Sequence, residues 1–262
     1  MNLDGVYLRM LSTTVLPFQH AWRGQQRMFA ASRHYVGYQC AFSRFCFARK
    51  LRASMSSSCC PAGSWPALTV DTERAVCGKV QTLPSNNLTV YYVPPQNSVA
   101  STNAIIVIYD VYGFKGGRIK SVCDQIACAG FHVVMPDLYG EEASIADKGG
   151  FANPDAQEWL KQFSNDDSSK KLDSVYSYLK DTVGVTSIGA LGFCWGAYPA
   201  FGESARWKLR AVASCHPSLK IGEMFYDHSV IEQAKAAKCP ALLCPAGNDP
   251  ENLKAGGDVQ KT

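Results

Sequence analysis

The chain has 262 residues, 47% of them hydrophobic and 18% charged, which allows a large buried core and excludes a disordered protein. Its net charge of +4 arises in residues 1–54, where Lys50 and seven arginines face a single acid, Asp4. The remainder is net negative, which argues against a nucleic-acid-binding domain, because such a domain would carry its own basic face.

Residues 1–54 have the composition of a targeting segment. They are rich in arginine and poor in acids and contain scattered Ser and Thr, which is typical of an organellar presequence. The alternative is low-order sequence ahead of a second start at Met55. A secretory signal is excluded, since no compact apolar run follows a basic start. We expect a cytoplasmic protein, or a mitochondrial one if 1–54 is a presequence, with an irregular lead-in over 55–75.

From residue 76 onward, the apolar pattern predicts alternating strands and helices. Continuous apolar runs of strand length are typical of strands buried on both faces, and apolar residues at helical spacing mark the helices between them. The predicted strands are 88–93, 104–109, 131–135, 187–193, 211–215 and 241–244, and the predicted helices are 118–129, 155–163, 168–181, 197–205 and 231–237. The alternation predicts an α/β domain over 76–262, with a mostly parallel sheet and helices on both faces.

Residues 182–202 carry no charge and are long enough for a membrane span. They contain five glycines, Pro199 and a strand–turn–helix pattern, so we do not expect this segment to span a membrane. We accordingly expect no membrane among the partners.

The cysteines do not form a recognisable disulfide or zinc framework. Their number is odd, at eleven, and no CxxC pair occurs. Cys123, Cys128, Cys215 and Cys244 lie in apolar runs, where free thiols behave as small hydrophobic groups. We therefore expect a reducing compartment and mostly buried thiols.

The strongest chemical signal is the pentapeptide Gly192-Phe193-Cys194-Trp195-Gly196, between a predicted strand and a predicted helix. This is the context of a nucleophile elbow, in which the nucleophile lies on a strained turn and the flanking glycines avoid clashes between strand and helix. The position of Cys194 favours the thiolate, because amide groups at the start of a helix face it. The amide of Trp195 is a candidate donor to an oxyanion. The alternative is a small-residue turn with a buried cysteine.

A second signal, Tyr109-Asp110-Val111-Tyr112-Gly113, follows a buried strand directly. Hydrolases with a nucleophile elbow take a second oxyanion amide from the loop at this place, and Val111 is the candidate. Asp110 is a candidate hydrogen-bond partner of the resting Cys194 thiol, or else a loop residue that caps the next helix.

A third signal is Asp249, which follows the predicted strand 241–244 within Gly247-Asn248-Asp249-Pro250. In chains with a nucleophile elbow the order is nucleophile, acid, histidine, so Asp249 falls where the acid is expected. The alternative is a turn aspartate before proline.

Taken together, these segments resemble the dienelactone hydrolase family, which comprises α/β-hydrolases with a Cys–Asp–His triad. The resemblance covers about residues 75–262 and rests on YDVYG (109–113), MPDLYG (135–140), GFCWGA (192–197), CHPS (215–218) and PAGND (245–249). It implies the α/β-hydrolase fold and cleavage of a small-molecule lactone or carboxylic ester through an acyl-cysteine, with Cys194 as nucleophile and Asp249 as acid. It implies no metal and no organic cofactor.

Two departures from the family bear on the substrate and the resting state. The bacterial enzymes that open dienelactone carry a substrate-binding arginine shortly after PDLY, whereas Gly140, Glu141 and Glu142 follow here. Dienelactone itself is therefore not the expected substrate. The resting-state acid of the family is usually Glu, and Asp110 is one methylene shorter.

The third departure is that no histidine follows Asp249, where the family's triad histidine would lie. Of the histidines in the domain, His132 opens a buried strand and is expected to be structural, and His228 lies in a polar segment. His216 lies at a strand end near the expected pocket, but in the family it belongs to a structural turn, so a role as base is the weaker expectation. We expect a C-terminally truncated member that lacks the last strand, the histidine loop and the final helix.

The sequence leaves two main hypotheses for function. The first is a hydrolase that uses Cys194 as nucleophile, and the second is a non-catalytic isoform or fragment of the same fold. A redox role for Cys194 ranks last, because no resolving CxxC partner is present.

Overall fold

The computed structural model describes residues 77–96, 100–206 and 208–262. The predicted leader 1–54 and the lead-in 55–75 lie outside these residues. The strands are β1 Lys79–Thr82, β2 Thr89–Val93, β3 Asn103–Ile108, β4 His132–Pro136, β5 Ser187–Phe193, β6 Ala211–Cys215 and β7 Ala241–Cys244. The α-helices are α1 Ile119–Cys128, α2 Pro154–Leu160, α3 Asn165–Ser177, α4 Ala197–Ser204, α5 Lys220–Tyr226 and α6 Val230–Ala236.

These strands form one sheet in the order β1-β2-β4-β3-β5-β6-β7. From β4 to β7 every neighbouring pair is parallel, while β1–β2 and β2–β4 are antiparallel. The sheet is thus mostly parallel, as the alternation of strands and helices predicts. In the described part of the chain β7 lies at one edge of the sheet, next to β6.

Helices cover both faces of this sheet. The connection from β3 to β4 steps in one direction along the sheet, and the connections from β4 to β5, β5 to β6 and β6 to β7 step in the other. Because such crossovers are right-handed, α1 covers one face, and α3, α4 and α6 cover the opposite face. Accordingly, α1 packs on β2 and β4, and α4 packs between α3 and α6. The prediction of helices on both faces is confirmed.

Local capping explains where two helices begin earlier than predicted. The side chain of Ser164 accepts a hydrogen bond from the amide of Asp167 at 3.2 Å, so α3 begins at Asn165 and not at 168. The side chain of Asn153 accepts from the amide of Asp155 at 3.1 Å, and α2 begins at Pro154. At its other end α3 continues as a π-helical turn, Tyr178–Thr182.

The core lies on the central strands and on the helix faces turned to them. Val107, Ile108, Val133 and Val134 are fully buried, as expected for strands covered on both sides. Cys123 is buried as predicted, but Cys128 is exposed because it is the last residue of α1. Among the described residues, no helix is long and apolar enough to cross a membrane, and 182–202 forms the predicted strand, turn and helix.

Candidate active site

Parallel pairing brings three of the predicted site loops to one edge of the sheet. Ile108 pairs with Gly192, Phe193 with Cys215, and Cys215 with Cys244. The strands β3, β5, β6 and β7 therefore end side by side. The next residues include Asp110, Cys194 and His216, and Asp249 follows β7 within a short turn. We call this the carboxyl edge of the sheet.

Cys194 has the backbone geometry expected of a nucleophile elbow. Its φ is +49°, a left-handed conformation that a residue with a side chain rarely adopts. A Cβ on Gly192 would lie 2.4 Å from the carbonyl oxygen of Gly196, and one on Gly196 would lie 2.4 Å from that of Ile108. Both glycines are therefore required by close backbone approach. The turn Cys194–Gly196 is 3₁₀-helical and runs directly into α4.

The side chain of Trp195, the residue after Cys194, packs into an aromatic cluster. It is fully buried, and its ring centroid lies 4.6 Å from that of Tyr139 and 6.0 Å from that of Tyr109. With its side chain held in this aromatic cluster, Trp195 can contribute only its backbone amide to chemistry beside Cys194.

The loop after β3 is fixed by local contacts. The carboxylate of Asp110 accepts a hydrogen bond from the amide of Tyr112 at 2.8 Å, and the carbonyl of Val111 accepts from the amide of Ile145 at 2.9 Å. Gly113 has a φ of +78°, and a Cβ there would lie 2.2 Å from the carbonyl oxygen of Ala143. These contacts fix the conformation of the predicted oxyanion loop in the structure; the roles of Val111 and Asp110 stay predictions.

The loop after β4 is organised by Asp137, which is buried. Its carboxylate accepts hydrogen bonds from the amides of Gly140 at 3.1 Å and Glu142 at 2.8 Å. These bonds hold Gly140, Glu141 and Glu142 at φ values of +82°, +53° and +54°. The carboxylate of Glu142 also forms an ion pair with Lys115 of the preceding loop. Acidic side chains therefore occupy the segment where the bacterial dienelactone enzymes carry arginine.

Asp249 is joined to a histidine that the sequence assigns to a structural turn. Oδ1 of Asp249 lies 2.7 Å from Nδ1 of His216, and its Oδ2 accepts a hydrogen bond from the amide of Ala246 at 2.7 Å. The Asp249 side chain is 4% exposed and that of His216 is 30% exposed. A buried carboxylate therefore lies next to an imidazole that is partly exposed to solvent.

His216 is positioned by the end of β6. Its amide donates to the carbonyl of Cys244 at 3.0 Å, and its φ is +53°. The two left-handed residues Cys194 and His216 thus follow neighbouring strands directly. The signal in the sequence is that His216 directly follows a predicted strand, and in the structure that strand, β6, is the neighbour of the elbow strand β5. That adjacency depends on a strand order that the sequence pattern leaves open.

Ser218, two residues beyond His216, is a site residue that sequence reasoning did not single out. Its amide donates to the carbonyl of Cys194 at 3.2 Å, and its hydroxyl donates to Sγ of Cys194 at 3.4 Å. The CHPS segment therefore contacts both the acid and the elbow.

The other two described histidines each have a ring nitrogen beside a tyrosine hydroxyl. His132 is the first residue of β4, at the opposite edge of the sheet from the site, and its ring nitrogens lie 2.8 Å from the Tyr92 hydroxyl and 3.0 Å from the Ser101 carbonyl. Burial lowers the pKa of His132 below its ordinary value. His228 lies between α5 and α6, with Nδ1 3.2 Å from the Tyr198 hydroxyl.

Within 77–96, 100–206 and 208–262, no group of three or more His, Cys, Asp or Glu side chains is placed to hold a metal ion.

Comparisons with known proteins agree with the observed fold. A sequence model described as "Dienelactone hydrolase family" matches residues 88–259. The chain is 26% identical over 157 residues to a carboxymethylenebutenolidase homolog of Rattus norvegicus, and the match covers 59% of each protein. It is 27% identical over 213 residues to an uncharacterized AIM2 family protein of Schizosaccharomyces pombe, covering 79% of this chain and 80% of that protein.

Among solved structures, an acylaminoacyl peptidase in complex with Z-Gly-Gly-Phe-chloromethyl ketone superposes with a TM-score of 0.51 at 14% identity, covering 72% of this chain and 35% of that one. At this level of identity the likeness shows the fold alone. The fold is that of the α/β-hydrolases.

Proposed function

The chain belongs to the dienelactone hydrolase family, and on that premise we propose that it hydrolyses a small carboxylic ester or lactone through an acyl-cysteine at Cys194. The match spans only 59% of the length of the rat relative, so the activity of this chain is proposed from its own residues. The proposal rests on the geometry at the carboxyl edge.

One observation carries the proposal: a strained cysteine and a histidine–carboxylate pair follow adjacent parallel strands. Cys194 follows β5 and His216 follows β6, and the imidazole of His216 lies 2.7 Å from the carboxylate of Asp249. A nucleophile, a base and a residue that orients the base are the three groups that covalent acyl transfer requires. This proximity supports His216 as the base and Asp249 as the residue that orients it.

The reaction begins with activation of the thiol. Because Nδ1 of His216 lies beside Asp249, we assign Nε2 as the ring nitrogen that accepts the proton of the Cys194 thiol. The thiolate attacks the substrate carbonyl, and the amides of Val111 and Trp195 stabilise the negative oxygen of the tetrahedral intermediate. The leaving alkoxide takes the proton from His216, which leaves a thioester on Cys194.

Hydrolysis of the thioester repeats the same proton transfers. His216 accepts a proton from water, the hydroxide attacks the thioester carbonyl, and the second tetrahedral intermediate collapses to a carboxylic acid. The proton returns from His216 to the Cys194 sulfur, which restores the starting state. Asp249 stays ionised throughout and stabilises the protonated imidazole.

The acidic loop after β4 favours a neutral substrate. Glu141 is exposed and Glu142 is paired with Lys115, so this loop offers no cation to a substrate carboxylate. We therefore propose an uncharged ester or lactone in place of dienelactone, which carries a carboxylate.

A burst assay with para-nitrophenyl acetate tests this function. The wild-type chain should release nitrophenolate in a stoichiometric burst followed by steady turnover. Cys194→Ala should abolish both phases. His216→Gln and Asp249→Asn should slow acylation, by roughly 10²–10⁴-fold for the base. His132→Gln, which alters a histidine at the opposite edge of the sheet from the site, is the matched control. A folded wild-type chain with neither burst nor turnover would support the alternative, a non-catalytic member of the fold.

A further inference from the structure

The hydroxyl of Ser218 forms a hydrogen bond with the sulfur of Cys194. Its Oγ lies 3.4 Å from Sγ, with the hydroxyl as donor. The same oxygen lies 3.5 Å from the carbonyl of His216, which is beyond the usual range of an O–H···O bond. Because sulfur is larger than oxygen, 3.4 Å is an ordinary donor–acceptor distance for a thiol or thiolate. The sulfur is therefore the better acceptor for the Ser218 hydroxyl.

The backbone fixes Ser218 in this place without help from its side chain. The amide of Ser218 donates to the carbonyl of Cys194 at 3.2 Å. The amide of Ile221 in turn donates to the carbonyl of Ser218 at 3.1 Å, at the start of α5. The hydroxyl is thus held beside the elbow by main-chain contacts that survive when the side chain is changed.

A hydroxyl in this position discriminates between the two forms of Cys194. A hydrogen bond to the charged form of a titrating group favours that form, and bonds to ionised acceptors are about twice as strong as neutral ones. The thiolate is the form that attacks a carbonyl. A donor fixed on the sulfur therefore raises the fraction of Cys194 that is ready to react.

We propose that Ser218 is a positioning residue for the nucleophile, whose hydroxyl holds the Cys194 sulfur and favours its thiolate. This inference rests on the proposed function in that it takes Cys194 as the nucleophile. The role belongs to the side chain and is separate from the base: His216 removes the proton, and Ser218 stabilises the anion that remains.

Alkylation of Cys194 by iodoacetamide tests the inference without any need for ester turnover. The tryptic peptide 181–206 contains Cys194 as its single cysteine, so its alkylation rate is measured by mass spectrometry apart from the other thiols. The rate is followed against pH for the wild type, Ser218→Ala and Ser218→Thr. The midpoint of each profile gives the pKa of the Cys194 thiol. The rate at the alkaline plateau, where the thiol is fully ionised, measures how accessible the sulfur is to the reagent.

Ser218→Ala should move the midpoint to the alkaline side by about one pH unit, which is a tenfold loss of rate at neutral pH, and should leave the plateau in place. Ser218→Thr, which keeps the hydroxyl, should restore the wild-type midpoint. A change in plateau alone, or an unshifted midpoint in a folded Ser218→Ala protein, would overturn the proposal. If Ser218→Ala does not fold, Ser218→Cys replaces it, because it preserves side-chain size and offers only a weak donor.

The same experiment separates this inference from the proposed function. If wild-type Cys194 reacts no faster than the buried cysteines at neutral pH, Cys194 is not the nucleophile, and the proposed role of Ser218 is wrong as well. If Cys194 reacts rapidly and Ser218→Ala shares its profile, the nucleophile stands and only the role of Ser218 is wrong.

Discussion

Nδ1 of His216 lies 2.7 Å from Oδ1 of Asp249, although the histidine comes before the acid in the chain. In the triad that we propose, the chain order is nucleophile, histidine, acid, whereas the order expected of this fold is nucleophile, acid, histidine. The pairing is possible because β6 and β7 are adjacent and parallel, so the loops that follow them meet at one edge of the sheet. Catalytic geometry depends on the placement of groups in space, and different chain orders achieve it.

Cys194 should be the most reactive thiol of the described residues. It lies on a turn at the start of α4 and is partly exposed, whereas burial raises the pKa of the Cys123 thiol and a hydrogen bond to Cys244 raises that of Cys215. Limited treatment with iodoacetamide and peptide mapping should label 181–206 first. Labelling that begins at Cys244, the half-buried competitor whose pKa the bond from Cys215 lowers, would contradict the assignment of the elbow.

Replacing either elbow glycine should destabilise the fold. An added Cβ at Gly192 or Gly196 meets backbone atoms at 2.4 Å, which cannot move away as a flexible side chain could. Overpacking of this kind costs about 1–3 kcal/mol. Urea unfolding of Gly192→Ala and Gly196→Ala should show this loss in the free energy of unfolding.

The control for the glycine variants is Gly247→Ala. Gly247 is exposed in the loop that carries Asp249, and a Cβ there would meet no atom within 4 Å. Its free energy of unfolding should stay within about 0.5 kcal/mol of the wild type, as for ordinary surface substitutions. Equal losses in all three variants would show that close packing at the elbow is not the cause.

Acidification should destabilise the protein through His132. Its pKa is lowered from 6.5 by burial, so the unfolded chain binds a proton at a higher pH than the folded one does. Its contribution to stability is therefore complete above pH 6.5 and is lost as the pH falls below that value. Urea unfolding at about pH 7.5 and about pH 5.5 should show a smaller loss in His132→Gln than in the wild type. An equal loss in both proteins would refute the contribution of His132.

Removal of residues 1–54 should leave the thermal midpoint unchanged. This segment is strongly basic and has no apolar periodicity that matches the strands and helices, while the buried residues of the described core lie between Leu83 and Val259. A chain that begins at Met55 is compared with the full chain by calorimetry. A drop of several degrees in the shorter chain would show that the leader packs on the domain.

Most of the fold could be predicted from apolar runs alone. The bounds of β5, β6 and β7 agree with the prediction, because each run is closed by polar or turn residues. β1 was not predicted, since Lys79–Thr82 is largely exposed and has no apolar alternation. α5 was not predicted either, and it begins at Lys220 without a side-chain cap that the sequence could reveal.

Only those parts of the candidate site that lie within one local motif could be predicted from the sequence. Gly192 and Gly196 identify the elbow because close backbone approach requires glycine at both positions. The partner of Asp249 could not be deduced in the same way. His216 meets it through the register of β6 against β7, and the hydroxyl of Ser218 meets Cys194 through the turn between β6 and α5. Such contacts between distant segments follow from strand order, which local patterns do not determine.

In the proposed reaction Cys194 carries the acyl group and His216 acts as the base. Rapid acid quenching after the protein is mixed with para-nitrophenyl acetate, followed by tryptic mass mapping, tests this claim most directly. We predict that the wild-type chain carries one acetyl group on peptide 181–206 within the burst, and that His216→Gln acquires it far more slowly. Acetylation of another cysteine, or equal rates in the two proteins, would contradict the account.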